Sequence, residues 1–105
     1  MTKVRKRAAA KRDLVQHYVY LAENAGVPTA ERFLLQVNET FSDLARFPAM
    51  GAELAPHGAK MEGMRKWQVK GFEKFLNFYL SQRDGVSIVR VLHANQDWWA
   101  LLGLV

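Results

Sequence analysis

Hydrophobic residues repeat with a helical period up to residue 46 and with a strand period after residue 60, and this change of period sets the class of fold. Leu14, Tyr18, Leu21, Ala22 and Ala25 fall at i, i+4, i+7, i+8 and i+11, one face of a helix over about Ala8–Ala25. Gly26 ends that helix, because glycine takes backbone conformations past a helix end that other residues avoid. Pro28 suits the start of the next helix, where its missing N–H would have no partner anyway. Ala30, Phe33, Leu34, Val37, Phe41 and Leu44 form the apolar stripe of that second helix, which runs to about Arg46. Pro48 disfavours helical geometry at Phe47 and closes it. A connection this short predicts an antiparallel helical hairpin.

The segment Pro48–Lys60 contains Gly51, Pro56 and Gly58 and reads as a loop. Met61–Val69, Phe72–Leu80 and Val86–His93 read as strands. Val86, Ile88, Val89, Val91 and Leu92 make a nearly continuous apolar run, which predicts a central strand. Lys70-Gly71 and Asp84-Gly85 stand between the strands, and Asp-Gly is a strong hairpin signal. The three strands therefore form an antiparallel meander. Residues 3–7 are an edge strand or a disordered arm, and residues 97–102 a short terminal helix capped by Asp97. Helices followed by strands imply an α+β domain with the hairpin laid on one face of the sheet. A length of 105 residues is that of one domain, 1–105.

Several chemistries are excluded at once. The chain has no cysteine, so it has no disulfide, thiolate nucleophile or cysteine zinc site. His17, His57 and His93 are scattered without ligand spacing, and no metal or cofactor is expected. No apolar run approaches the roughly 18 residues of a membrane span, and no signal-type apolar region follows the charged start. The expected compartment is the cytoplasm, with no membrane partner. Fifteen Lys and Arg against ten Asp and Glu give a net charge of +5, which favours an acidic partner. Lys3, Arg5, Lys6, Arg7, Lys11 and Arg12 place six cations in the first twelve residues, although such runs are mostly solvated surface.

The order of elements, with certain residues in them, resembles the ParE/RelE toxin superfamily. The residues are Ala10-Lys11-Arg12-Asp13-Leu14 followed by Tyr18, then Leu44 through Pro48 to Gly51, then Met64-Arg65 and Phe75-Leu76-Asn77-Phe78-Tyr79. The sharpest is Val86-Ser87-Ile88-Val89-Arg90-Val91-Leu92-His93, with Gln96-Asp97 where the family often has Arg-Asp. The resemblance spans nearly the whole chain and is closest to the ParE branch. It implies a β-α-α-β-β-β order with a short C-terminal helix, and makes residues 3–7 the first strand. It implies the toxin of a type II toxin–antitoxin (plasmid stabilisation) system, neutralised by a cognate ParD-like antitoxin in a hetero-oligomer. ParE-type members inhibit DNA gyrase by trapping its cleaved-DNA complex. RelE-type members are ribonucleases that cut messenger RNA.

RNA cleavage without a metal needs a base, an acid and cations for the phosphorane. Arg65, Arg90 and His93 are the candidates here. Lys74 sits where many nuclease members carry an Arg, but lysine lacks the planar fork that grips phosphate. No tyrosine follows Tyr79, so the tail tyrosine of several nuclease members is missing. Arg90 and His93 are three apart on a strand and point to opposite faces unless a bulge intervenes. On opposite faces, Arg90 pairs with a carboxylate such as Asp97, and His93 ends the strand with a polar tip.

The tail Trp98-Trp99-Ala100-Leu101-Leu102-Gly103-Leu104-Val105 is apolar for a chain end. Two adjacent Trp on a helix do not share one core, so the tail either packs with one Trp partly exposed or forms a docking surface. In ParE-type relatives the C-terminal segment is implicated in toxicity, which the resemblance carries to Asp97, Trp98 and Trp99. An antitoxin is expected along the hairpin and sheet, with Tyr18, Phe33, Val37 and Phe41 as core. The first reading is thus a non-enzymatic gyrase inhibitor. The alternatives are a metal-independent endoribonuclease and a family member kept only as a binding module.

Overall fold

The computed structural model describes residues 3–54 and 63–103. The elements are β1 (Lys3–Lys6), α1 (Ala8–Ala25), α2 (Val27–Arg46), a 3-10 turn (Pro48–Met50), β2 (Ala52–Glu53), β3 (Met64–Val69), β4 (Phe72–Gln82), β5 (Gly85–His93) and α3 (Trp98–Leu101). The strands form one sheet in the order β1-β5-β4-β3-β2. β1 runs parallel to β5, and every other pair is antiparallel. The expected α+β architecture holds, and residues 3–7 supply a strand rather than an arm. Within the segment expected as a loop, Pro48–Met50 is a helical turn and Ala52–Glu53 is a fifth strand. Residues 55–60 of that loop, and Met61 and Glu62 of the expected first meander strand, lie outside the described residues.

The α2 stripe behaves as its spacing predicts, with Ala30, Phe33, Val37, Phe41 and Leu44 buried. α1 differs. Its buried face carries Ala10, Asp13, His17 and Leu21, and two of these four are polar. Leu14 and Tyr18 are only half-buried, beside Glu31 and Leu34 of α2, and Ala25 is exposed. The apolar stripe of α1 is thus largely its contact with α2, while a mixed face meets the sheet. Gly26, at φ 95°, is the only residue between the helices, a conformation that favours glycine.

Each face of the sheet has its own cluster. On the helix side, Phe75, Tyr79, Ile88 and Val91 pack with Phe33, Val37, Phe41 and Leu44. On the other side, Leu54, Met64, Phe78 and Leu92 pack with Leu76, Leu80, Val89, Trp98, Trp99 and Leu102. β4 achieves this by simple alternation over Phe75–Leu80. β5 does not: its register steps from Phe78↔Arg90 to Tyr79↔Ile88, leaving Val89 as an extra residue in a bulge. The bulge lets Ile88 and Val91, three apart, reach the same face. Among the described residues no helix is long and apolar enough to cross a membrane.

Candidate functional site

β1 pairs with β5 only as far as Ile88, so the outer edge of β5 opens beyond the bulge. α1 closes it with side chains. The Val91 N–H donates to Asp13 Oδ2 at 3.0 Å, and His17 Nε2 lies 2.7 Å from the Val91 carbonyl. A carbonyl only accepts, so Nε2 carries the proton. Burial lowers the His17 pKa and keeps the ring neutral. Asp13 and His17 stand one turn apart on α1 and cover the two backbone groups of a single residue. The Ala10-x-x-Asp13 element therefore seals a strand edge.

Arg90, at the bulge, forks onto the same carboxylate: Nε to Asp13 Oδ2 at 2.7 Å and Nη2 to Oδ1 at 2.9 Å. Its Nη1 donates to the Leu101 carbonyl at 3.0 Å. The carboxylate partner is thus Asp13 and not Asp97, which instead accepts from the Ala100 N–H at 3.3 Å as the cap of α3. The hydrogen bond to Asp13 raises the Arg90 pKa further above its ordinary value.

Arg65 is spent elsewhere. Its Nη1 donates to the Gly51 carbonyl at 2.6 Å and to the Ala49 carbonyl at 3.3 Å, and Nη2 lies 3.4 Å from Glu53. Beside it the buried Tyr79 hydroxyl donates to the Pro48 carbonyl at 2.7 Å and accepts from the Gly51 N–H at 2.9 Å. A Cβ on Gly51 would strike that hydroxyl and sit 2.9 Å from the Lys66 carbonyl. Pro48-x-x-Gly51 is therefore moulded onto Tyr79 and Arg65.

His93 Nδ1 accepts from the Asn95 N–H at 3.0 Å, and the His93 N–H donates to Gln96 Oε1 at 2.6 Å. Its ring stands edge-on to Phe75, with centroids 5.0 Å apart. A concavity of about 360 Å³ beside it is lined by Gln16, His17, Tyr20, Asn95 and Gln96, without an Arg or Lys. Lys74 is exposed. The bulge lies at Val89, before the regularly paired Arg90–His93 segment, so Arg90 and His93 keep to opposite faces, and Arg65, Arg90 and His93 each bond to a different part of the chain.

The tail both packs and presents. Trp98 and Trp99 stack at 4.4 Å between centroids, and Trp98 leans on Phe78 at 5.4 Å. Lys66 Nζ lies 5.2 Å from the Trp98 ring. Both indoles are half-buried in one cluster, contrary to the expectation that adjacent Trp separate. Stacking makes this possible, because the second ring follows the first and not the helix axis.

A second concavity, between α1 and α2, is lined by Leu14, Val15, Tyr18, Glu31 and Leu34. Val15 is 64% exposed and nearby α2 carries Leu35 at 69%, a large apolar surface for a hairpin exterior. Tyr18, expected in the core, lines this groove. The sequence pattern assigned Leu14, Tyr18 and Leu34 to the stripes and left Val15 outside them, and so missed the groove. Much of the N-terminal charge is engaged: Arg5 forks onto Asp84 at 2.9 Å twice, and Lys3 lies 3.8 Å from it. Arg5 holds the Asp84 carboxyl down to about 2. Lys6, Lys11 and Arg12 are exposed.

Among the described residues no group of three or more His, Asp or Glu is placed to hold a metal ion. No curated protein matches the chain. The fold is similar to that of a solved structure, the chromosomal ParDE TA system from P. aeruginosa, with a TM-score of 0.70 at 17% identity. That likeness covers 89% of this chain and 96% of the other. The model of the family described as ParE toxin of type II toxin-antitoxin system, parDE, matches residues 4–98, from β1 to the start of α3. The chain that seals its β5 edge with Asp13 and moulds Pro48–Gly51 onto Tyr79 therefore belongs to the ParE toxin family.

Proposed function

We propose that this chain is a single-domain toxin that arrests bacterial growth by binding DNA gyrase through Asp97, Trp98 and Trp99, and that it is not itself an enzyme. A ParD-like antitoxin neutralises it in a cytoplasmic hetero-oligomer. The observation that carries this reading is the family match over residues 4–98. Two features of the site support it. The cations a metal-free nuclease needs at a phosphorane are committed: Arg65 to backbone carbonyls and Arg90 to Asp13 and Leu101. The stacked indoles beside Lys66 offer rigid aromatic surface of the kind that anchors protein interfaces.

The groove of Leu14, Val15, Tyr18 and Leu34 supports the antitoxin half, because an amphipathic helix lays its apolar face into such a groove. A net charge of +5 suits an acidic antitoxin segment that orders on docking. The test is a supercoiling assay with gyrase and purified chain, alongside induced expression in cells. Lost supercoiling, accumulated cleaved DNA and intact messenger RNA are expected, and addition of antitoxin restores activity. Growth arrest with cleaved messages and unaffected gyrase overturns the reading in favour of a RelE-type ribonuclease.

A further inference from the structure

We infer that Arg90 is the positioning residue of the C-terminal helix, fixing the Trp98–Trp99 pair in the orientation that meets the target. This rests on the reading that the tail contacts gyrase. α3 has four residues, far below the roughly 12 at which an isolated helix becomes even marginally stable. Its N-terminal end is capped by Asp97, and the Leu102 and Gly103 N–H groups donate to the Trp98 and Ala100 carbonyls. The carbonyl of its last residue, Leu101, receives Arg90 Nη1 at 3.0 Å.

The same guanidinium is clamped at its other two nitrogens by Asp13, and Asp13 also holds the Val91 N–H. A continuous set of hydrogen bonds therefore runs from the 18-residue α1 through Asp13 and Arg90 to the end of α3. The Val89 bulge puts Arg90 where it meets both, at an edge that β1 has left open. Only arginine serves both ends: its planar fork has separate N–H groups for the carboxylate and the carbonyl, whereas a lysine ammonium is one point on a flexible stem. Arg90 acts on the target surface through α3.

The test compares Arg90→Lys with the parent chain, both carrying Trp67→Phe so that the remaining indoles are those of the tail. Lysine keeps the charge pair with Asp13 and gives up Leu101. Acrylamide quenching of tryptophan fluorescence is expected to rise about twofold as the tail loosens. The concentration for half-inhibition of gyrase should rise about tenfold, the change that roughly 1.4 kcal/mol produces. The thermal midpoint and antitoxin binding should stay near the parent's, a split that a merely structural role would not give. Arg90→Gln, reaching neither group, should exceed Arg90→Lys in quenching and in lost inhibition. Quenching equal to the parent's in both variants overturns the inference. Raised quenching with unchanged inhibition instead overturns the assignment of the tail to target binding.

Discussion

The face of the sheet beneath α1 and α2 is closed by Phe33, Phe41, Leu44, Tyr79, Ile88 and Val91, all fully or nearly fully buried. The opposite face is covered by one turn of helix and two half-buried indoles, its own buried members being Leu54, Met64, Phe78 and Leu92. Close packing makes the first face sensitive to the loss of single methylene groups. The second leaves aromatic surface in contact with water and is held in part by a single bond from Arg90. Stability is concentrated on one side of the sheet and accessible chemistry on the other. Substitutions should separate the two.

Phe33→Ala should cost the most. The ring is fully buried and stands edge-on to Phe72 at 5.3 Å, so its removal leaves a cavity that neighbours cannot fill. A loss of about 3–5 kcal/mol in urea unfolding is expected. A loss near that caused by substitutions in the tail would show that the helix side is not the stronger one. Asp13→Ala comes next at about 3 kcal/mol, because it orphans the Val91 N–H and the Arg90 fork together. Hydrogen exchange at Val91 should accelerate in it before exchange at Tyr79 does. Gly51→Ala should cost about 1–3 kcal/mol through overpacking against the Tyr79 hydroxyl. Tyr79→Phe in the same chain should recover only part of that loss, since the hydroxyl is the nearest atom the new methyl strikes but the Tyr79 ring and the Lys66 carbonyl stand at 2.8 and 2.9 Å.

Much of this division is legible in the sequence, and the parts that are not have physical causes. The α2 stripe and the Val86–Leu92 run are apolar on nearly every inward position, with Thr40 and Ser87 the buried polar exceptions, so period alone finds them. Asp13 and His17 escape that reading, because a buried polar residue lowers the apolar signal of its face although it is essential there. Their role depends on where β1 stops, a fact about pairing between residues 82 apart. Arg90 pairs with Asp13 and not with Asp97 for the same reason: Asp97 is near in sequence and Asp13 is near in space. Ala52–Glu53 has no strand pattern at two residues and exists because Arg65 and Tyr79 hold the segment before it against β3. Which of Arg65, Arg90 and His93 are committed to bonds within the chain is visible only in the fold.

Trp98→Ala tests the weaker face. The indole is half-buried, so a cost of about 1 kcal/mol is expected in place of the several that a core aromatic carries. Inhibition of gyrase should nevertheless fall by more than tenfold, as for a central interface aromatic. Full activity with lost stability would reverse the assignment of the two faces.

Acidification gives the smallest effect and acts on the helix side alone. His17 has its pKa lowered from 6.5 by burial, so the unfolded chain takes up a proton at a pH where the folded chain does not. Stability from this residue is therefore complete above about 6.5 and declines as pH falls toward the lowered folded value. Asp84, held at about 2 against 3.8, keeps its contribution above 3.8 and loses it only as pH falls through about 2, outside that window. Urea midpoints at pH 7.5 and pH 5 should thus differ more in the parent than in His17→Gln, whose amide can still donate to the Val91 carbonyl without titrating. Quenching of Trp98 and Trp99 should not change over the same range, because His17 touches Val91, Phe33 and Phe75 and not the tail. An equal pH slope in both chains would remove His17 from the sealing of the β5 edge. A tail that loosens in step with the helix side would mean that the two faces respond as one.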